Sequence, residues 1–252
     1  MTRSRLASAF AGPGMSGTAH VGTSGFGYAT WAPRFYPEGT KSKDFLTVYA
    51  RKLGSVESNY TFNALPTEKA VAAWVEATPD SFRFALKASR RITHDNLLRD
   101  TTESLPRFLG RARSLGDRLG CVLFQTPPWL ARDDERLRAF LAALPEARPR
   151  AAFEFRSESW YDEAVFAILR EHNVALCTAE GERAPAPFTL TADFAYVRLR
   201  NKEEPYTSDS LAIWRERLRA VLTEGRDVYA YLYHDELGEN AMMAMGLAEA
   251  LA

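Results

Sequence analysis

The chain has 252 residues, 46% of them hydrophobic, and its 32 basic side chains are matched by 32 acidic ones. That length supports one large core, and a formal net charge of zero weighs against the general basic character by which proteins hold nucleic acid or anionic membrane. No apolar stretch is long enough to span a bilayer, and two cysteines are too few for a disulfide framework or a zinc ribbon.

Residues 1–18 are small and polar, with Arg3, Arg5 and a short apolar segment over 6–11. That segment is too short for a signal peptide, so a disordered tail is expected, with Met15 as a second candidate start and a single domain over 19–252. Eight short runs rich in Val, Phe, Tyr and Leu then read as strands: 20–24, 55–59, 82–87, 121–126, 151–156, 174–178, 196–200 and 228–234. Helical spacing lies between most of them, over 43–53, 67–77, 105–119, 137–144, 164–172, 211–222 and 241–251. Pro66 is read as the opener of the second of these helices, and Ser159 with Asp162 as the capping signal of the fifth. Cys121 and Cys177 fall inside strand runs, which predicts buried, reduced thiols and a cytoplasmic protein.

Strands that alternate with helices in this way predict an α/β fold, a single (β/α)₈ TIM-type barrel. It is irregular between the sixth and seventh strands, where Pro185 and Pro187 stand in place of a helix. An open doubly wound sheet is the alternative. The early turn Gly22-Thr-Ser-Gly25-Phe-Gly27 lacks the spacing of a dinucleotide fingerprint.

A barrel of this type places its chemistry at the carboxyl ends of the strands. Those ends carry Ser24, Glu57 with Asn59, Lys87, Gln125, Glu154 with Arg156, Arg198 with Arg200, and Tyr233, His234 and Asp235. Strand side chains alternate in facing, so Glu154 and Arg156 oppose Phe153 and Phe155, and Arg198 opposes Val197 and Leu199. If the apolar set faces the helices, the polar set converges on the barrel mouth. The same groups can instead make a structural ion-pair network. For the last strand either Tyr229, Tyr231 and Tyr233 or Val228, Ala230, Leu232 and His234 face inward.

The loops beyond the strand ends are aromatic, with Tyr28, Trp31, Phe35, Tyr36, Tyr60, Phe62, Trp129 and Trp160, which suits a pocket for a ring as well as plain loop packing. Of the four histidines, His20 and His172 precede strands, whereas His94 and His234 follow them and can reach the mouth. Glu57, Glu154, His234 and Asp235 could be assembled around a metal, but they lack ligand spacing, so no metal and no cofactor are predicted. The segment 83–118 holds nine basic and four acidic residues, and Lys87, Arg90 and Arg91 at its top suggest a basic rim. Asn201, Lys202 and the turn Gly238-Glu-Asn240 offer a weaker place for an anion.

Taken together, the run Val21-Gly-Thr-Ser-Gly25-Phe-Gly-Tyr28-Ala-Thr-Trp31 with Phe35-Tyr36-Pro37 resembles the opening of the YecE-like family, the domain of unknown function 72. Val56-Glu57-Ser-Asn59 with Thr61-Phe62, Phe82-Arg-Phe84 with Lys87, Ile92-Thr-His94, Phe124-Gln125, Phe153-Glu154-Phe155-Arg156 with Trp160, and Tyr196-Val-Arg198 extend the likeness to nearly the whole chain. The resemblance implies a TIM-type barrel related to the xylose isomerase and endonuclease IV barrels. It supplies no activity, and the chain lacks the His-rich ligand set of those metal-dependent relatives.

Four functions fit these residues. The first is an enzyme for a small anionic substrate, a phosphate-bearing sugar or nucleotide. Glu57, Lys87, His94, Glu154 and Arg156 would be its catalytic residues, and Ser24, Tyr28, Trp31, Asn59, Gln125, Trp160, Arg198, Tyr233 and His234 its binding residues. The second is a glycoside hydrolase with Glu57 and Glu154 as its carboxylate pair, disfavoured by their cationic neighbours. The third, binding or processing of single-stranded nucleic acid, is disfavoured by the zero net charge. The fourth is a non-catalytic sensor built on the same pocket.

Overall fold

The computed structural model describes residues 17–181, 186–200 and 206–252. Eight parallel strands close into a barrel in chain order: β1 (Ala19–Ser24), β2 (Ser55–Ser58), β3 (Arg83–Lys87), β4 (Leu119–Gln125), β5 (Arg150–Glu154), β6 (Ala175–Ala179), β7 (Phe194–Leu199) and β8 (Asp227–Leu232). Helices α1 (Phe45–Ala50), α2 (Tyr60–Asn63), α3 (Glu68–Glu76), α4 (Ser104–Arg113), α5 (Asp134–Ala142), α6 (Glu163–Glu171), α7 (Ala212–Thr223) and α8 (Glu239–Ala250) complete the (β/α)₈ architecture. Each expected strand lies within two residues of an observed one, because strands covered on both faces read as near-continuous apolar runs. Between β6 and β7 the described residues form no helix, as the prolines there require. Pro185 lies outside the described residues.

Three local expectations are corrected. The helix expected over 105–119 stops at Arg113, because Gly116 adopts φ 57° and the chain then turns into β4. Pro66 precedes the cap rather than opening α3, and the Thr67 side chain accepts the Ala70 N–H at 3.1 Å. Asp162 alone caps α6, accepting from Ala164 N at 2.9 Å, while Ser159 accepts from Arg132 N instead. The expected tail over 1–18, with Met15, lies outside the described residues except for Gly17 and Thr18. Gly17 N donates to Leu222 O, and Thr18 N donates to Asp227 Oδ1 at 2.7 Å, so the chain is anchored just before β1.

The barrel interior is filled asymmetrically. Phe194, Tyr196, Tyr229 and Tyr231 project inward from β7 and β8 among the small residues Ala85, Cys121, Ala152, Ala175 and Cys177 of β3 to β6. Large rings set against small residues fill the tapering interior. The open facing of β8 is thereby settled, with the tyrosine set inward and Val228, Ala230 and Leu232 packed against the helices. Gly120 answers Tyr229 in this packing, since a Cβ there would lie 2.8 Å from the ring. Both cysteines are buried free thiols inside the barrel, and burial pushes each thiol up. Arg150 closes the bottom, paired with Asp227 at 2.6 Å and lying over the Phe194 ring. Among the described residues no helix is long and apolar enough to cross a membrane.

Candidate functional site

Strand register sets the upper layer of the barrel. Parallel neighbours in register share a facing, so Ser24 and Glu57 stand level on β1 and β2, and Gln125 and Glu154 stand level on β4 and β5. Arg198 on β7 reaches across to both carboxylates. Its Nη2 donates to Glu57 Oε1 at 2.8 Å and its Nη1 donates to Glu154 Oε2. The second oxygen of Glu57 accepts the Tyr196 hydroxyl at 2.8 Å. The second oxygen of Glu154 accepts Gln125 Nε2 at 2.8 Å and Arg156 Nε at 2.7 Å. Glu57, Glu154 and Arg198 are at most 2% exposed, and each of the four carboxylate oxygens accepts at least one hydrogen bond.

Electrostatics follow from that geometry. Burial alone would raise the Glu154 carboxyl, but Arg198, Arg156 and Arg200 outweigh it and hold the group at about 2. Burial opposes charge on Arg198, yet Glu154 and Glu57 keep it firmly protonated. Lys87 ends β3 with its ammonium 4.0 Å from the centre of the Phe62 ring. Burial, with Arg198 beside it, brings Lys87 down to about 8 against the opposing pull of Glu154 and Glu57. His94 sits on a wide helical turn over Arg91–Asp95 and meets the same Phe62 ring edge-on at 4.9 Å. Burial and the neighbouring Lys87 and Arg90 lower it to about 4, so it is neutral at physiological pH. His234 stacks on Tyr28 at 4.6 Å and 9°, and burial with Arg200 lowers it too.

The expected residues separate into three groups. Glu57, Lys87, Glu154, Arg156, Gln125 and Arg198 meet at the floor of the mouth, with His94 beside Lys87. Ser24, Tyr28, Asn59, Tyr233 and His234 form one side. Tyr28 and Asn59 line a cavity of about 430 Å³ together with Phe26, Tyr60 and Trp74. Tyr233 lies under the Arg200 guanidinium at 4.8 Å. The charged floor borders this groove rather than lining it. Ser24 Oγ, His234 Nδ1 and Arg198 Nε are buried without a hydrogen-bond partner among the described residues, which marks the mouth as a polar site with unused bonding capacity.

Two expected binding residues do not reach the mouth. Trp31 is fully buried among Tyr28, Phe35 and Tyr36, and its indole N–H donates to Asp235 O at 2.8 Å. Trp160 stacks on Phe155 at 4.5 Å and donates to Leu130 O. Each large ring found more apolar area in the core than a solvated loop offers. The anion place considered at the start of α8 is also filled, because the Asp235 carboxylate accepts the Leu237, Glu239 and Asn240 N–H groups. Asn201 and Lys202 lie outside the described residues. Arg90 and Arg91 pair at the surface with Asp95 and Glu103, so only Lys87 of that basic segment enters the mouth. No three His, Cys, Asp or Glu side chains cluster for a metal among the described residues. Tyr196 was missed by sequence reasoning, although it shares the inward face of β7 with Arg198.

The family model "Protein of unknown function DUF72" matches residues 20–252. The chain belongs to that family. This DUF72 protein is 28% identical over 172 residues to the UPF0759 protein YunF of Bacillus subtilis, a match covering 64% of this chain and 57% of YunF. The matched part thus spans little more than half of that relative's length. In three dimensions the DUF72 protein is similar to the DUF72 family protein TM1631 of Thermotoga maritima, with TM-score 0.80 and 26% identity over 93% of this chain and 99% of that one. It also shares its fold with the DUF72 family protein EF0366 of Enterococcus faecalis, at TM-score 0.73 and 20% identity over 93% and 95% of the two chains.

Proposed function

We propose that this DUF72 protein is an enzyme that binds a small anionic substrate at the barrel mouth. The observation that carries the reading is charge. Lys87, Arg156, Arg198 and Arg200 converge there against the carboxylates of Glu57 and Glu154. Among the described residues of this cluster four cations face two carboxylates in a largely buried site, where an anion gains most. Roles differ in detail. Arg198 holds two glutamates, so it positions them, and Arg156, at the edge of the network with its Nε on Glu154 Oε1 at 2.7 Å, is the anion-binding group. Glu154 stays ionised and serves as an electrostatic partner or base, not as an acid. A glycoside hydrolase fits less well, because one of its two carboxyls must carry a proton, and Glu154 is held ionised by Arg198, Arg156 and Arg200 and so is not that acid.

The test is thermal unfolding of the wild type and Arg156→Ala with inorganic phosphate, phosphate esters and neutral sugars. Phosphate-bearing compounds should raise Tm in the wild type and not in the variant, since a ligand that binds only the folded state stabilises it. A response to neutral sugars alone would overturn the reading. A phosphate response would then be followed by assay of the same esters for turnover.

A further inference from the structure

Lys87 differs from the other cations described at the mouth. Arg198, Arg156 and Arg200 are guanidinium groups, always charged and suited to holding carboxylates in a fixed fork. Only six of the 32 basic residues in the chain are lysines, and one of them stands where β3 opens into the mouth. Its ammonium makes no ion pair among the described residues, although Glu57 and Glu154 are close enough to act on it electrostatically. Their oxygens are committed to Arg198, Arg156, Gln125 and Tyr196. The amine instead faces the Phe62 ring, which His94 packs from the edge. An amine that is partly desolvated, crowded by cations and denied a carboxylate is the arrangement that frees a lysine for nucleophilic attack.

We propose that Lys87 is a nucleophilic amine that condenses with the carbonyl carbon of a small aldehyde or ketone bearing a carboxylate or phosphate. The inference rests on the reading of the mouth as an anion site and names the reactive group of the substrate. The uncharged amine donates its lone pair to the carbonyl carbon while the C=O π pair moves to oxygen. A proton passes from nitrogen to that oxygen and gives a carbinolamine. Protonation of the hydroxyl lets it leave as water, and the nitrogen lone pair closes the C=N bond. The net change is loss of one water and uptake of one proton from solvent, leaving a protonated Schiff base. No oxidant or metal enters the balance. With its pKa at about 8, roughly one Lys87 amine in ten is uncharged at pH 7. Neutral His94, packed on the same Phe62 ring, places no further charge beside the amine. The substrate's anion would rest on Arg156, just past β5 and two strands along from β3.

Reductive trapping tests this. The full chain is incubated with pyruvate, dihydroxyacetone phosphate or neutral hydroxyacetone in the presence of sodium cyanoborohydride, then digested and mapped by mass spectrometry. The expected result is labelling of Lys87 by the two anionic carbonyls at least ten-fold above Lys41, Lys43, Lys52 and Lys69, and no adduct on the corresponding peptide of Lys87→Arg. The wild-type map decides even if that variant does not fold. Absence of a Lys87 adduct, or labelling no stronger than at surface lysines, overturns the proposal. Thermal shift with inorganic phosphate is read in parallel. A phosphate shift without Lys87 labelling removes the Schiff base and leaves the anion site standing. Labelling by hydroxyacetone as readily as by pyruvate, with no phosphate shift, removes the anionic requirement and the reading beneath it.

Discussion

Arg198 and Glu154 meet inside the barrel mouth, each at most 2% exposed, and the other arm of the same guanidinium holds Glu57, so one side chain ties β2, β5 and β7 together. Three charges buried this way are costly to desolvate and are stable only while each is paired. The arrangement is therefore a rigid floor on which more exposed groups, Arg156 and Lys87, are presented.

Arg198→Met should be strongly destabilising, because it strands two buried carboxylates. The expected loss is about 3–5 kcal/mol, as for other buried pairs broken from one side. The triple variant Glu57→Gln, Glu154→Gln, Arg198→Met should recover much of it. Urea unfolding of the three proteins measures both, and a loss below about 1 kcal/mol for the single variant would show that the floor is not bonded as described.

Tyr49→Phe and Tyr196→Phe separate frame from site. The Tyr49 hydroxyl accepts the Thr23 N–H at 2.9 Å and donates to Ser55 O at 3.0 Å, joining β1 to β2 away from the mouth. The Tyr196 hydroxyl supports Glu57. Each loss should lower stability by about 1–3 kcal/mol, the cost of an unpaired buried group. Only Tyr196→Phe should also change the thermal response to phosphate.

Stability should fall in acid in two stages. His20 and His94 are held near 4 in the fold and titrate near 6.5 when unfolded, so the unfolded chain takes up more protons as pH drops from about 6.5 to 4. Glu154, held at about 2 against an ordinary glutamate value of about 4.5, adds its loss as pH falls from about 4.5 to 2. Urea midpoints measured across this range should decline from pH 6.5 downward. The double variant His20→Gln, His94→Gln should shrink the decline below pH 6.5 to the part that His234 contributes, and leave the lower limb.

Gly120→Ala tests the interior packing. The added methyl would meet Tyr229 Cε1 at 2.8 Å and its hydroxyl at 3.0 Å, so overpacking should cost about 1–3 kcal/mol in thermal or urea unfolding. Tyr229→Leu in the same chain should relieve part of that loss. A neutral Gly120→Ala would mean that the tyrosine has room to move.

The barrel and the floor of its mouth were legible for different physical reasons. Buried parallel strands leave apolar runs, and a charged residue at the end of such a run has few places to go but the mouth, which located Glu57, Lys87, Glu154 and Arg198. The facing of β8 was not legible, because its tyrosines and its aliphatic residues suit either side, and only the small residues of β3 to β6 decide it. Trp31 and Trp160 were misplaced because a loop tryptophan near a pocket and one folded under it share the same sequence position. Asp235 looked like a possible ligand, and its role as an acceptor of three backbone N–H groups depends on a turn geometry that spacing alone does not show.

The most direct measurement is an NMR titration of Lys87 in uniformly ¹³C-labelled protein, following its ε-carbon with and without inorganic phosphate. Six lysines keep the spectrum simple, and Lys87→Arg assigns the signal. The account predicts a midpoint at about 8 that rises when phosphate occupies the mouth, because an added negative charge favours the ammonium form. A midpoint near the ordinary lysine value, unmoved by phosphate, would contradict it.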